Sequence, residues 1–132
     1  MNQRDWFADV LEFHRAFDAH IEPLPRDPGD EVAWLRQRLI TEEFMELVMA
    51  INKGDLPSIA DGCIDLIYVT LGTLVSYGID PAPLWDAVHR ANMAKVGGEV
   101  REDGKRLKPL GWQPPDIKGL LATQGPIVEE AP

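Results

Sequence analysis

Proline and glycine, set beside acidic residues, cut this sequence into lengths that only helices fill. Pro23, Pro25 and Pro28 fall inside the stretch Glu22 to Asp30. Each lacks an N–H donor and fixes φ, so that stretch is a connecting loop. Asp55 followed by Pro57, and Asp80 followed by Pro81, are cap-then-proline patterns that restart a helix, while Gly54, Gly78 and Gly97-Gly98 stand where helices stop. The spacing predicts a first helix with Trp6, Val10, Phe13 and Phe17 on its core face, ending near His20. A second, capped by Asp30, runs from Glu31 to about Lys53, a third continues to Tyr77, and a fourth runs from Pro81 through Lys95. The β-branched run from Ile64 to Val75 lies in a segment too long for a strand of about 3 to 10 residues. The fold class expected is all-α, a four-helix core oligomerising through helix faces and followed by a short C-terminal hairpin and loop extension. Asp103-Gly104 centres the hairpin and residues Asp116 to Leu121 make a short turn.

A chain of 132 residues is one domain by length, expected to span residues 1–122 with a disordered tail over 123–132. Its formal charge of −9 opposes a general nucleic-acid binder. The longest uncharged stretch, Leu66 to Ile79, is shorter than the roughly 20 residues that cross a bilayer, so it reads as a buried core helix and no membrane partner is expected. A single cysteine, Cys63, excludes an intrachain disulfide framework and reads as an unreactive core thiol. With no signal-peptide pattern, the expected location is cytoplasmic.

The second helix carries its acids on the wrong face. Projected at about 100° per residue, Glu42, Glu43 and Glu46 fall within about 100° of arc, among Leu35 and Leu39, while Gln37, Arg38 and Thr41 occupy the polar side. Carboxylates bordering an apolar surface repel one another and resist desolvation unless protonated or neutralised by cations. The third helix supplies Asp61 and Asp65, one turn apart on an otherwise apolar helix. If the two helices pack antiparallel, an all-oxygen ligand set converges. Such a set matches Mg2+, with Mn2+ as a substitute, better than zinc or a di-iron centre, which would want histidines at ligand spacing.

A milder anomaly follows on the fourth helix, where Asn92 sits between Trp85, Val88 and Val96 with Lys95 at the border. From Arg90 to Lys108 six basic residues face three acidic ones, a local reversal of the overall charge that could hold a polyphosphate. The bland reading is a solvated hairpin that balances charge.

Together these residues resemble the all-α nucleoside triphosphate pyrophosphohydrolase superfamily: MazG-like and dimeric dUTPase-like enzymes, and phosphoribosyl-ATP pyrophosphohydrolase. The resemblance rests on Glu42-Glu43-Phe44-Met45-Glu46 as E-E-x-x-E, Asp65-Leu66-Ile67-Tyr68-Val69 as D-L-x-Y-V, and His89-Arg90-Ala91-Asn92-Met93-Ala94-Lys95. Asp103-Gly104-Lys105 and Lys108-Pro109-Leu110-Gly111-Trp112 are similar to a MazG-like subgroup that includes dUTP-hydrolysing enzymes. Gly62 stands where the family usually carries a further glutamate, and Asp61 is expected to substitute for it.

The resemblance implies hydrolysis of a nucleoside triphosphate, such as the deoxynucleotide dUTP, between the α- and β-phosphates to give a monophosphate and pyrophosphate. It implies metal ligation by Glu42, Glu46, Asp61 and Asp65, with Glu43 handling the attacking water. Asn92, Lys95, Lys105 and Lys108 would contact the substrate, in a homodimer or dimer of dimers. The alternatives are phosphoribosyl-ATP hydrolysis or a non-catalytic helical dimer that binds metal or nucleotide.

Overall fold

The computed structural model describes residues 4–129. It is helical: α1 Trp6–Ala16, α2 Asp30–Lys53, α3 Leu56–Ser76, α4 Pro81–Met93 and α5 Ile117–Thr123, with no strand among the described residues. Packing groups the chain into two compact units, one that runs to Asp80 and resumes at Gln124, the other Pro81–Thr123.

In the first unit, α1 starts where Asp5 caps it, its Oδ1 accepting the Ala8 N–H at 3.0 Å. The helix ends at Ala16, short of the expected His20, because Asp18 turns to φ 54° and leaves the helical region. Its buried residues are Val10 and His14, at 1% and 2% exposure, whereas Trp6, Phe13 and Phe17 remain 53%, 41% and 70% exposed. The core stripe of α1 is therefore rotated from the expected aromatic one. Phe13 does reach α3, meeting Tyr68 edge-on with ring centroids 5.6 Å apart.

Helices α2 and α3 form an antiparallel hairpin, since only Gly54 and Asp55 join them. Gly54, at φ 67°, takes the expected stop position. At the other end of α2, Gly29 rather than Asp30 is the cap residue, its N–H held by Asp27 Oδ1 at 2.8 Å. Two contacts set the register of the pair: Arg36 Nη2 donates to the Val69 carbonyl at 2.7 Å, and Gly62 packs on Leu47 closely enough that a Cβ would lie 3.3 Å from the Leu47 Cα. Position 62 is thus a packing position here, with backbone where a longer side chain would need room.

The loop before α2 lies along the C-terminal end of α3. Glu22 N–H bonds to Val75 O at 3.3 Å and Arg26 N–H to Tyr77 O at 3.1 Å. Gly78, at φ 72°, sits beneath the Leu24 carbonyl, so any side chain there meets backbone. The segment after α5 is also tied down. Gln124 bonds through its amide to both backbone groups of Asp80, at 3.1 and 2.8 Å, and Ile127 N–H reaches Pro23 O at 2.8 Å. Residues 124 and 127 of the expected tail are thus hydrogen-bonded to the rest of the chain, while 130–132 lie outside the described residues.

Within residues 66–79, expected to be a buried core helix, Gly72, Val75, Ser76 and Gly78 are buried but Ile67 and Tyr68 are exposed, so the stretch is buried on one face only; Cys63, expected in the core, is exposed. By length and composition α3 alone among the described helices could cross a bilayer, yet it packs against α1 and α2 and carries Asp61 and Asp65.

In the second unit α4 stops at Met93, two residues before the expected Lys95, and α5 replaces the expected short turn. Between them the hairpin forms as a single antiparallel bridge, Val100 to Arg106, with Gly104 N–H on Arg101 O at 2.8 Å.

Candidate active site

The seam of α2 is set by heptad spacing: Arg36, Glu43 and Ala50 follow one another along the face turned to α3. Arg36 is a buried cation, 8% exposed, with no carboxylate partner among the described residues. Its Nε donates to Thr73 Oγ1 at 3.2 Å in addition to the bond with Val69 O, and burial pulls its pKa below the ordinary guanidinium value. His14 stands beside it across Gly72 and bonds Nδ1 to the His20 carbonyl at 3.0 Å. Burial lowers the His14 pKa first, against the bond to the His20 carbonyl, and the Arg36 charge lowers it further. His14 is thus a satisfied structural histidine, as its place on an apolar helix predicts.

One heptad further on is Glu43. The register of α2 on α3 brings it level with Asp65. Its Oε2 is buried and has no hydrogen-bond partner. Burial raises the Glu43 pKa above the usual carboxylate range, and the charges of Glu46, Asp65, Glu42 and Asp61 raise it further, in that order. The four other acids predicted from sequence thus all act on Glu43 through space. They differ in depth: Asp65 is half-buried like Glu43, whereas Glu42, Glu46 and Asp61 are exposed. Arg38 of α2, itself exposed, lies 4.0 Å from Glu42. Among the described residues no three acidic, histidine or cysteine side chains already converge on a common ion-binding point.

A buried carboxylate oxygen without a donor is costly, at roughly 1 to 3 kcal/mol or more for a charged group. A cation among these acids removes that cost, and a set of oxygens alone suits a hard divalent ion. The chemistry of the donor set, oxygen only, is of the kind that suits such an ion.

A cleft of about 280 Å³ opens between α1 and α3, lined in part by Trp6, Val10, Ile64 and Tyr68 with Arg4 and Asp9 at its polar edge. Arg4 Nε donates to Asp9 at 2.6 Å there.

The predicted substrate-binding residues all lie in the second unit. Lys95 Nζ donates to Asn92 Oδ1 at 3.0 Å, Lys108 is exposed, and the Lys105 backbone N–H bonds to Asp103. Sequence reading named Arg38 on the polar face and overlooked Arg36. The heptad spacing of Arg36, Glu43 and Ala50 is the signal in the sequence that marks it.

An all-helical chain with an E-E-x-x-E helix packed on a D-L-x-Y-V helix defines a pyrophosphohydrolase domain of the MazG-like superfamily. More narrowly, a family profile described as phosphoribosyl-ATP pyrophosphohydrolase matches residues 10–92, and the chain belongs to that family. It is also similar to an uncharacterized protein of Acanthamoeba polyphaga mimivirus, 41% identical over 78 residues. That match covers 56% of this chain and 31% of the relative, so the chain spans about a third of the relative's length.

Proposed function

We propose that this protein hydrolyses a nucleoside triphosphate between the α- and β-phosphates, releasing a nucleoside monophosphate and pyrophosphate. The observation that carries the reading is Glu43, whose buried Oε2 has no partner and lies amid the charges of four other acids. In a structural helix pair this arrangement only costs stability. In a hydrolase it supplies a basic oxygen held ready for a water proton, a role worth about 10²–10⁴ in rate.

Glu42, Glu46, Asp61 and Asp65 are the residues that would hold divalent metal, Mg2+ or Mn2+, whose chemistry there is neutralisation of the polyphosphate. Glu43 orients and deprotonates the attacking water. Lys95 and Lys108, with Asn92 and Lys105, take up phosphate and sugar groups. The cleft between Trp6 and Tyr68 is the place on α1 and α3 for an apolar base face, at the small end of ligand sites.

Self-association belongs to the same reading. Val10, Ala50 and Val75 are the apolar residues buried below a tenth of their surface among the described residues, while Trp34, Phe44, Met45, Met49 and Ile51 are half or more exposed or close to it. A chain with so small a core gains by covering such a face with a second copy, as a homodimer or dimer of dimers.

The substrate favoured by the Lys108-to-Trp112 motif is a pyrimidine deoxynucleotide, dUTP first. A second reading, phosphoribosyl-ATP, is favoured by the family match over residues 10–92. A panel of triphosphates that includes both, assayed with Mg2+ for pyrophosphate release, separates them. A protein that releases none from any of these, while binding nucleotide as a folded dimer, is a non-catalytic module and the proposal fails.

A further inference from the structure

Lys95 and Lys108 are far apart in sequence, yet both ammonium groups stand over one ring. Lys95 Nζ is 5.2 Å and Lys108 Nζ 4.9 Å from the centroid of Trp112, which leaves no more than about 10 Å between them. The indole itself is fixed. Its Nε1–H donates to the Ala91 carbonyl at 2.7 Å, one of the carbonyls in the last turn of α4 that the helix leaves without a partner. A turn closed by Trp112 N–H on Pro109 O at 3.1 Å, with Gly111 at φ 81°, folds the chain back so that Lys108 and Trp112 meet.

The neighbouring arginines are already paired. Arg90 meets Asp86, Arg101 meets Asp103, and Arg106 donates to the Gly98 carbonyl. Among the described residues neither Lys95 nor Lys108 has a carboxylate partner, and Lys95 makes its polar contact with the neutral amide of Asn92. An indole attracts each ammonium through its quadrupole but carries no charge, so the assembly keeps two positive charges within about 10 Å of each other. Its complement is an anion that offers charge at two points.

We propose that Trp112 is a positioning residue that holds Lys95 and Lys108 as a paired receptor for a diphosphate group, with the Asn92 amide beside them. That the diphosphate is the β,γ-portion of a substrate, or the released pyrophosphate, rests on the hydrolase reading above. The receptor itself rests on the geometry of Pro81–Thr123.

The test uses the full chain in EDTA, so that metal on the acidic residues contributes nothing, with inorganic pyrophosphate titrated by calorimetry and tryptophan fluorescence. Wild type should bind and show an emission change, and Trp112→Phe should bind without it, because the ring is kept. Trp112→Leu should bind roughly tenfold more weakly, the loss of two cation–π contacts. Should Trp112→Leu fail to fold by circular dichroism, Lys95→Gln/Lys108→Gln, which leaves the indole and its bond in place, should show the same loss. In the presence of a hydrolysed nucleotide, Trp112→Leu should raise KM more than it lowers kcat, which a merely structural loss would not do. Wild type that ignores pyrophosphate, or a folded Trp112→Leu or double-lysine variant that binds it as wild type does, overturns the receptor. If pyrophosphate binding depends on Trp112 while no nucleotide is hydrolysed, the receptor stands and the hydrolase reading falls. If nucleotide is hydrolysed with a KM indifferent to Trp112→Leu, the reverse holds.

Discussion

Arg36 lies across Gly72 so closely that a Cβ on residue 72 would stand 2.5 Å from its Nη2 and 2.9 Å from His14 Nε2. The absence of a side chain on α3 is what lets a buried cation from α2 and a histidine ring from α1 meet on it. A helix-favouring exchange, Gly72→Ala, would ordinarily stabilise by about 1 kcal/mol. Here the methyl must displace a guanidinium bonded to Val69 O and Thr73 Oγ1. The expected net effect is a loss of about 1 to 3 kcal/mol, read from urea unfolding.

His14 makes the fold sensitive to acid. Its pKa is lowered in the folded chain, so the unfolded chain takes up a proton that the buried ring refuses. The stability from this group is complete above the unfolded value near 6.5 and is lost as pH falls below it. Melting temperature followed from pH 7.5 to pH 5 should therefore decline on the acid side. His14→Gln, less stable at neutral pH, should flatten that slope; an unchanged slope would contradict the assignment.

Gly78 is held at φ 72° under the Leu24 carbonyl. Gly78→Ala meets both a disfavoured backbone conformation and main-chain atoms that cannot rotate aside, and should cost about 2 kcal/mol or more. The loop between α1 and α2 should loosen with it, seen as faster amide exchange at Glu22 and Arg26, whose N–H groups bond to Val75 and Tyr77.

Glu43→Gln should reduce pyrophosphate release by at least about 100-fold while leaving the circular dichroism spectrum unchanged. Asp65→Asn should reduce it comparably and also raise the Mg2+ concentration needed for half-maximal rate. Equal metal requirements in wild type and Asp65→Asn would remove Asp65 from the ligand set.

The helices could be read from the chain because their ends are written locally: Gly54 stops α2, Pro57 and Pro81 open α3 and α4, and each signal acts within a turn of itself. That the α2 glutamates border an apolar surface could be read as well, from their place among leucines. Which acid turns inward could not. That depends on how α2 rotates against α3, and the rotation is decided by Arg36 seeking the Val69 carbonyl and by Leu47 resting on Gly62, contacts between residues far apart in sequence. The α1 stripe is legible only in part for a related reason: Trp6, Val10, Phe13 and Phe17 share the spacing of a core face, but of these Val10 alone is buried, with His14 beside it, once the helix docks on α3. Trp112 was visible only as part of a motif, because its partners Ala91, Lys95 and Lys108 are assembled by turns that carry no hydrophobic period.

The doubled bond between Gln124 and Asp80 places side by side the two points at which Pro81–Thr123 leaves and rejoins the rest of the chain. A segment whose departure and return coincide is a cassette: it can be exchanged, shortened or enlarged between those two residues without stretching anything outside them. Chimaeras that graft a foreign 81–123 segment at this junction should therefore leave the acidic helix pair as it is while replacing the lysine-bearing segment.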